Sequence, residues 1–293
     1  MSDIVCANKV LVSIGMPVYN GEKYVADAIK SLLAQTHTEF ELIISDNAST
    51  DRTGDLCRQL AATDSRIRYL RQSANLGPAP NFKAVLDAAT GEFFMWAAHD
   101  DWWEQNFIQK ALEKLENTAI SYVFPTFAVQ SIKWRLSKRF DSQIFAFVSS
   151  PDRRFRVLSF ISTHYLSHSA NIVYSLFRRD FLNKIWSIQD ITNDGVFGVV
   201  AVSHGLGELN PSLFKKRYAI LWPGQLQIFI AALLSLRRGV NVSTAAAEAI
   251  VKARQKLEQF FPEYTPEIAD IFAAYKPFTY GKRYRVCQIP EKR

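Results

Sequence analysis

Four times in its first 120 residues the chain repeats one pattern. A short run of β-branched and aromatic residues leads into a polar turn, and then into a stretch with apolar residues three and four positions apart. Such alternation is how a parallel sheet with crossover helices is written, because parallel neighbours need a long connection and a helix is the usual one. "KVLVSIGM" reads as the first strand, "FELIISD" as the second, "RIRYLR" as the third and "EFFMWAAHDD" as a fourth that ends on two acids. Between them, "EKYVADAIKSLLAQ" puts Tyr24, Val25, Ala28, Ile29, Leu32 and Leu33 on one helix face. Ser49 or Thr50 is expected to cap the helix over "DRTGDLCRQLAA", and Gly91 to stop the one over "NFKAVLDAAT".

In an open α/β sheet, ligands bind outside the carboxyl ends of the strands. Here those ends carry Pro17, Tyr19 and Asn20, then Asp46 and Asn47, then Asn75 and Gly77, then Asp100 and Asp101. Turns favour such residues anyway, but four sets in succession point to one polar cleft. There is no GxGxxG and no P-loop, so Rossmann-type and Walker-type phosphate binding are unsupported. Asp100 and Asp101 would repel each other unless a positive charge lies beside them. A divalent Mg²⁺ or Mn²⁺ is one answer, and capping of a helix that starts near Trp102 is the other. Trp102 and Trp103 follow directly, where one exposed ring could stack on a sugar of donor or acceptor. His99 reads either as a further metal ligand or as a hydrogen-bonded structural residue.

Composition narrows the remaining classes. With 48% hydrophobic and 22% charged residues the chain is neither disordered nor fibrous. Cys6, Cys57 and Cys287 are too scattered for a disulfide framework or a zinc module, which suits a reducing, cytoplasmic setting. "MSDIVCANKV" has neither a basic flank nor an apolar core, so neither a leader nor an anchor is expected there. Residues 1–120 hold 11 Lys and Arg against 16 Asp and Glu, whereas residues 121–293 hold 24 against 12. The basic part suits an anionic surface or a phosphorylated ligand. Nucleic acid ranks lowest, because no helix-turn-helix, zinc-finger or RNA-recognition signature accompanies the charge.

From Ser121 the pattern loosens into aromatic and basic stretches, with helices expected over 151–163 and 178–188. The last quarter reads as helical, with "LQIFIAALLSL" (Leu226 to Leu236) and then an amphipathic helix over Ser243 to Phe261. Eleven apolar residues reach only about 16 Å, too little to span a bilayer but enough to lie on one.

The run from "VSIGMPVYNGEKYVADAIKSLLAQT" through "ELIISDNASTDRT", "NLGPAPNF" and "GEFFMWAAHDD" resembles the nucleotide-binding half of family 2 glycosyltransferases, which have the GT-A fold. The likeness covers roughly residues 9 to 118. It implies an α/β fold, a GT-A type mixed sheet flanked by helices. Residues 1–118 would form the nucleotide-sugar half, 119–220 the acceptor half, and 221–293 a helical extension. It also implies that Pro17, Tyr19, Asn20, Asn75 and Asn81 line the nucleotide pocket, that Asp46 hydrogen-bonds the base, and that Asp100 and Asp101 meet the ribose and the metal. Two positions depart from the family pattern: Ala98 stands where many members carry a first acid, and Pro80 stands where many carry an Arg.

Further along, "IVYSLFRRDFLNKI" and "TNDGVFGVVAVSHGLGELNPSLFKKRYA" are similar to the family's order of Arg-rich strand, acid-bearing helix, Gly turn and basic loop. Asp194 falls on the catalytic base, with Asp190 as the fallback and a plain Asn193-Asp194-Gly195 turn as the bland alternative. Lys215, Lys216 and Arg217 fall on a loop that could close over the diphosphate. The implied activity is metal-dependent, inverting transfer of a sugar from a nucleotide-diphosphate donor to a glycan or lipid-linked acceptor, in surface polysaccharide assembly. The inner membrane face and a second copy of the chain are the further partners it leaves room for. A non-catalytic sugar-nucleotide-binding protein on the same fold is the alternative from another class. A nucleotidyltransferase is disfavoured because Gly21 and Lys23 make too thin a phosphate loop.

Overall fold

The computed structural model describes residues 11–131, 137–139, 142–167, 172–187, 194–218, 255, 257–259 and 261–273. Strands β2 (Phe40–Asp46), β3 (Ile67–Arg71) and β4 (Phe93–Trp96) form within the expected runs, whereas β1 (Val12–Val18) continues two residues past the expected end at Met16 and takes in Pro17, expected in the turn after it. They are joined by α1 (Val25–Leu33), α2 (Thr53–Thr63) and α3 (Pro78–Asp87). Their mutual pairings are all parallel. β1 is buried along its whole length, so it reads as a continuous apolar run rather than an alternating one. Pro17 is tolerated in this central strand because its nitrogen faces the β4 side, where pairing has already ended at Gly15 and Trp96. On the other side the Val18 carbonyl still accepts from the Asn47 amide at 2.9 Å.

Two local expectations fail. The residue at the N-cap of α2 is Arg52, and the helix start is held by Asp51, whose Oδ1 accepts from the Thr53 amide at 3.0 Å and from Thr53 Oγ1 at 2.5 Å. Ser49 and Thr50 face the β1–α1 loop instead. Gly91 does not stop α3, which ends at Asp87 with Ala88 as its C-cap. A glycine stands at position 91 because the chain leading into β1 passes so close that a Cβ would lie 2.6 Å from the Leu11 carbonyl oxygen.

The second half adds β5 (Trp102–Trp103), α4 (Phe107–Leu115), β6 (Ile120–Ser131), β7 (Ser137–Arg139), α5 (Arg153–Ser167), β8 (Leu176–Arg178), α6 (Arg179–Trp186), α7 (Asp194–His204), β9 (Leu206–Tyr218) and α8 (Thr265–Ala273). Among the described residues the sheet has nine strands in the order β3-β2-β1-β4-β8-β6-β9-β5, with β7 on β6. β8 is antiparallel to β4 and β6, while β9 runs parallel to β6 and antiparallel to β5. The mixed sheet flanked by helices is the architecture expected of the chain.

The stretch that looks loose from Ser121 onward is in fact the longest strand pairing, from Ile120 and Leu206 to Ser131 and Tyr218. Its register shifts between Pro125 and Thr126, where a residue without an N–H interrupts the ladder. Lys215, Lys216 and Arg217 therefore lie on β9 and not on a loop, a correction to the sequence reading. The backbone groups of a long strand such as β6 need partners, and that demand outweighs the charged composition of the segment that supplies them.

The two halves meet at Trp96. Its ring centroid lies 4.9 Å from Phe94, 5.4 Å from Trp186 on α6 and 5.6 Å from Phe197 on α7. The indole N–H donates to the Phe82 carbonyl on α3 at 3.1 Å, so the buried ring leaves no polar atom unpaired. Asp190, the helix expected over Leu226 to Leu236 and most of the one over Ser243 to Phe261 lie outside the described residues. No helix among the described residues is long and apolar enough to cross a membrane.

Candidate functional site

The strand order reverses between β1 and β4: β2 and β3 build outward on one side of β1, and the chain then returns to the other. A crevice opens at such a switch point, above the carboxyl ends of the two strands. On the β1 side Asn20 takes a left-handed conformation, φ 49°. Its amide donates to Ser49 Oγ at 2.9 Å, and its side-chain oxygen accepts from the Thr50 amide at 2.9 Å. Gly21 N donates to Thr53 Oγ1 at 2.7 Å, and Glu22 N donates to Asp51 Oδ2 at 3.2 Å. These bonds lock the loop after β1 to the loop after β2. They leave Tyr19 at 43% exposure, and Leu76, on the β3–α3 connection, at 53%.

The acid and amides after β2 are spent inward. Asp46 has a fully buried side chain: Oδ1 accepts from the Ser49 amide at 2.8 Å, and Oδ2 accepts from Tyr69 Oη at 2.7 Å and from Arg71 Nη1 at 2.5 Å. Burial alone would raise its carboxyl, but the hydrogen bonds from Ser49 and Tyr69 and the Arg71 charge outweigh it and hold the group below the usual carboxylate range. Asn47 donates to Asn75 Oδ1 at 2.8 Å and to the Gly77 carbonyl at 3.0 Å, and accepts from the Leu76 amide at 2.9 Å. Asn81 is buried, and both ends of its amide engage Ser45, at 2.6 and 3.0 Å. Asp46 and Asn81 thus act as ties between elements, whereas Asn75 stays exposed at the rim.

On the β4 side, Ala98 to Asp101 form a turn closed from the Asp101 amide to the Ala98 carbonyl at 3.4 Å. The acids therefore sit in a strand-to-strand turn and not at a helix start, since β5 follows at once and α4 begins only at Phe107. Asp100 is partly exposed and Asp101 is 2% exposed. β5 pairs Trp102 with Lys215 and Trp103 with Phe214. Trp103 is fully buried and belongs to the core, leaving Trp102 as the partly exposed ring. His99 packs on Gly21, where a Cβ would lie 2.5 Å from its ring. Burial lowers its pKa, and the charges of Asp100 and Asp51 pull the other way. Among the described residues no three His, Cys, Asp or Glu side chains gather as a metal cage.

Asp194 is the first described residue of α7, and Asn193 before it lies outside the described residues. Sequence reasoning missed Ser49, Tyr69 and Arg71 as the holders of Asp46. The signal was present, since Tyr69 and Arg71 share one face of β3, and Arg71 stands in register with Asp46. Cys57 is buried, which pushes its thiol up to about 12.

Comparison with known proteins bears on the family and the fold. The family described as "Glycosyl transferase family 2" matches residues 13–186, more than half of the chain, in a stretch that ends before Asp194. TuaG of Bacillus subtilis, a protein assigned to teichuronic acid biosynthesis as a glycosyltransferase, is 32% identical over 123 residues, 42% of this chain and 49% of its own. The glycosyltransferase GlyG of Streptococcus pneumoniae is 30% identical over 106 residues, 36% of this chain and 35% of its own. The chain thus spans about half or less of the length of the curated relatives it matches. Among solved structures, S. aureus TarS in complex with UDP-GlcNAc superposes with a TM-score of 0.55 at 17% identity, covering 89% of this chain and 79% of that one. The mannosyltransferase PcManGT of Pyrobaculum calidifontis, in complex with GDP-Man and Mn²⁺, gives 0.52 at 17% identity, covering 92% and 75%.

Proposed function

The chain belongs to glycosyl transferase family 2, and from that premise we propose that it moves a sugar, with inversion, from a nucleoside diphosphate to a hydroxyl of a glycan or lipid-linked acceptor. The observation that supports this reading is the contact of His99 with Gly21 at the β1/β4 switch point, which brings the exposed Tyr19 and Asn20 loop beside the turn that carries Asp100 and Asp101. The acceptor class and a role in surface polysaccharide assembly are supported by the naming of TuaG. A site of action at the cytoplasmic face of the membrane is supported by the basic balance of residues 121–293.

Asp100 and Asp101 fit a divalent cation shared with a ligand. Two adjacent carboxylates suit Mg²⁺ or Mn²⁺ held by carboxylates, waters and donor phosphates, and among the described residues no third His, Cys, Asp or Glu gathers with them into a cage. When bound, such an ion neutralises the diphosphate and eases its departure. Tyr19 offers a ring face to the base, Asn75 offers its amide at the rim, and Trp102 offers a ring face to the sugar. Asp46, already occupied by Tyr69 and Arg71, keeps the floor of the pocket rigid instead of reading the base.

Asp194 accepts the proton of the acceptor hydroxyl as its oxygen attacks the anomeric carbon. The bond from that carbon to the diphosphate oxygen breaks on the opposite face and leaves its electron pair on the nucleotide. Asp194 then loses the proton to solvent, and no covalent enzyme intermediate forms.

Incubation with a panel of nucleoside diphosphate sugars, Mn²⁺ and glycan acceptors tests this, with nucleotide release as the readout. Metal-dependent release is expected, falling about 10²- to 10⁴-fold in Asp194→Asn while donor binding persists. Ala98, which replaces the family's first acid, favours the second reading of a binder without turnover. Tight donor binding without release would establish that reading, and the absence of binding for every donor would sink both.

A further inference from the structure

α7 is seated on its neighbours at three heights. Near its start Phe197 stands edge-on to Trp96, at 5.6 Å and 88°, and edge-on to Phe177. At the next residue, Gly198, a Cβ would overlap the ring of Phe160, so α5 touches the backbone of α7 directly. At the far end the last carbonyls of a helix have no internal partners. Two of them are met by guanidinium groups from α5: Arg156 Nε donates to the Val202 carbonyl at 2.7 Å, and Arg153 Nε to the Ser203 carbonyl at 3.3 Å.

Arg156 is the unusual member of this seat. It is 6% exposed, and its Nη1 donates to the carbonyls of Ser150 at 2.7 Å and Pro151 at 3.1 Å. Among the described residues no carboxylate comes within ion-pair distance of it. Burial lowers its pKa, with Tyr122 and Asp152 opposing. A buried cation without a counter-charge is costly, and a core of this size could have used an apolar residue of similar volume. What a guanidinium does here and an apolar residue cannot is bind the negative end of the α7 dipole through carbonyl oxygens.

We infer that Arg156 is a positioning residue for the transfer reaction: by clamping the carboxyl end of α7 it sets the place of Asp194 at the other end. The inference rests on the reading of Asp194 as the base. Eleven helical residues form a rod of about 16 Å, so a tilt or slide at His204 is delivered to Asp194 almost undiminished. Arg153 extends the clamp toward the C-terminal segment. The same guanidinium that reaches Ser203 also pairs with Glu263 at 2.9 Å and lies over the rings of Phe261 and Tyr264, while Arg154 pairs with Glu267 on α8. The seat of α7 and the attachment of residues 261–273 are one assembly on α5.

The test compares Arg156→Met, Arg156→Lys and Asp194→Asn in the full chain. Steady-state kinetics would use whichever donor turns over in the panel, with donor affinity from calorimetry and the pH profile of kcat. Arg156→Met is expected to lower kcat about 10- to 100-fold, the scale of a misplaced reacting group, with donor affinity unchanged within about twofold. The acidic limb of the pH profile stays in place because the base is the same group, and Arg156→Lys recovers part of the loss. Donor affinity and kcat falling together, or a lowered melting temperature with kcat intact, would overturn the inference as a merely structural role. Asp194→Asn at wild-type rate removes the base reading and this inference with it. An inactive Asp194→Asn beside a fully active Arg156→Met removes this inference alone. Should Arg156→Met fail to fold, Gly198→Ala, which pushes Phe160 off α7, must lower kcat at constant donor affinity, and an unchanged kcat counts against the clamp.

Discussion

In the half of the sheet built from β1 to β4, the loops over the crevice are tied to one another by polar side chains, whereas in the half built from β6, β8 and β9 the helices are seated by rings and guanidinium groups. Asn20, Ser49, Asp46 and Arg71 form one chain of hydrogen bonds, and Asn47, Asn75, Leu76 and Gly77 form a second beside it. α7, by contrast, rests on Trp96, Phe160 and Arg156. The first arrangement preorganises a pocket whose shape depends on local turns. The second makes the place of a single acid depend on packing at a distance. Changes in the first half should therefore appear in donor binding, and changes in the second in turnover and stability.

The largest effect is expected at the seam between the halves. Trp96→Ala removes the ring shared by β4, α6 and α7, and should cost about 3–5 kcal/mol in denaturant unfolding. It should also abolish turnover at temperatures where donor binding survives, and equal loss of both would erase the distinction drawn here. Next, Asp101→Asn should weaken Mn²⁺-dependent donor binding about 10- to 100-fold by calorimetry, with little change in the unfolding midpoint. An unchanged donor affinity would move the metal contact wholly to Asp100.

The smallest effect is at the opposite end of β2. There Glu41 is desolvated, which raises its carboxyl, yet hydrogen bonds from Ser13, Thr90 and Arg68 pull it down to about 2 from an ordinary 4.5. A depressed folded-state pKa stabilises the fold above the unfolded value, and the gain is lost as pH falls from about 4.5 toward 2. Unfolding measured at pH 6 and pH 3 should differ by about 2 kcal/mol from this group, and Glu41→Gln should flatten that slope. The same change should leave donor binding alone, because Glu41 lies at the amino end of its strand, away from the crevice. Glu41 and Asp46 both hold depressed carboxyls through internal hydrogen bonds, one at each end of β2.

Much of the first half was legible because its information is local. The period of each apolar run, the polar residues at each strand end and the acids after "FFMW" lie within a few residues of the structure they specify. The site was legible in its positions but less so in its roles. Asp46 and Asn81 carry the residue types of a nucleotide pocket, yet Tyr69, Arg71 and Ser45 claim them, and those claims depend on strand register. Of the two tryptophans, only the pairing of β5 with β9 decides which is buried.

By itself, then, the sequence determined four parallel strands with crossover helices, the family likeness carried on their turns, and an acid pair after the fourth strand. Only the tertiary structure decided that a loose, basic stretch is the long β6 and β9 ladder, that Lys215 to Arg217 lie in it, and that α7 sits on α5 and Trp96. The physical reason is range. Backbone periodicity and turn chemistry act between near neighbours in the chain, while these contacts join groups some 40 to 100 residues apart. Their free energy exists only once both partners are already in place.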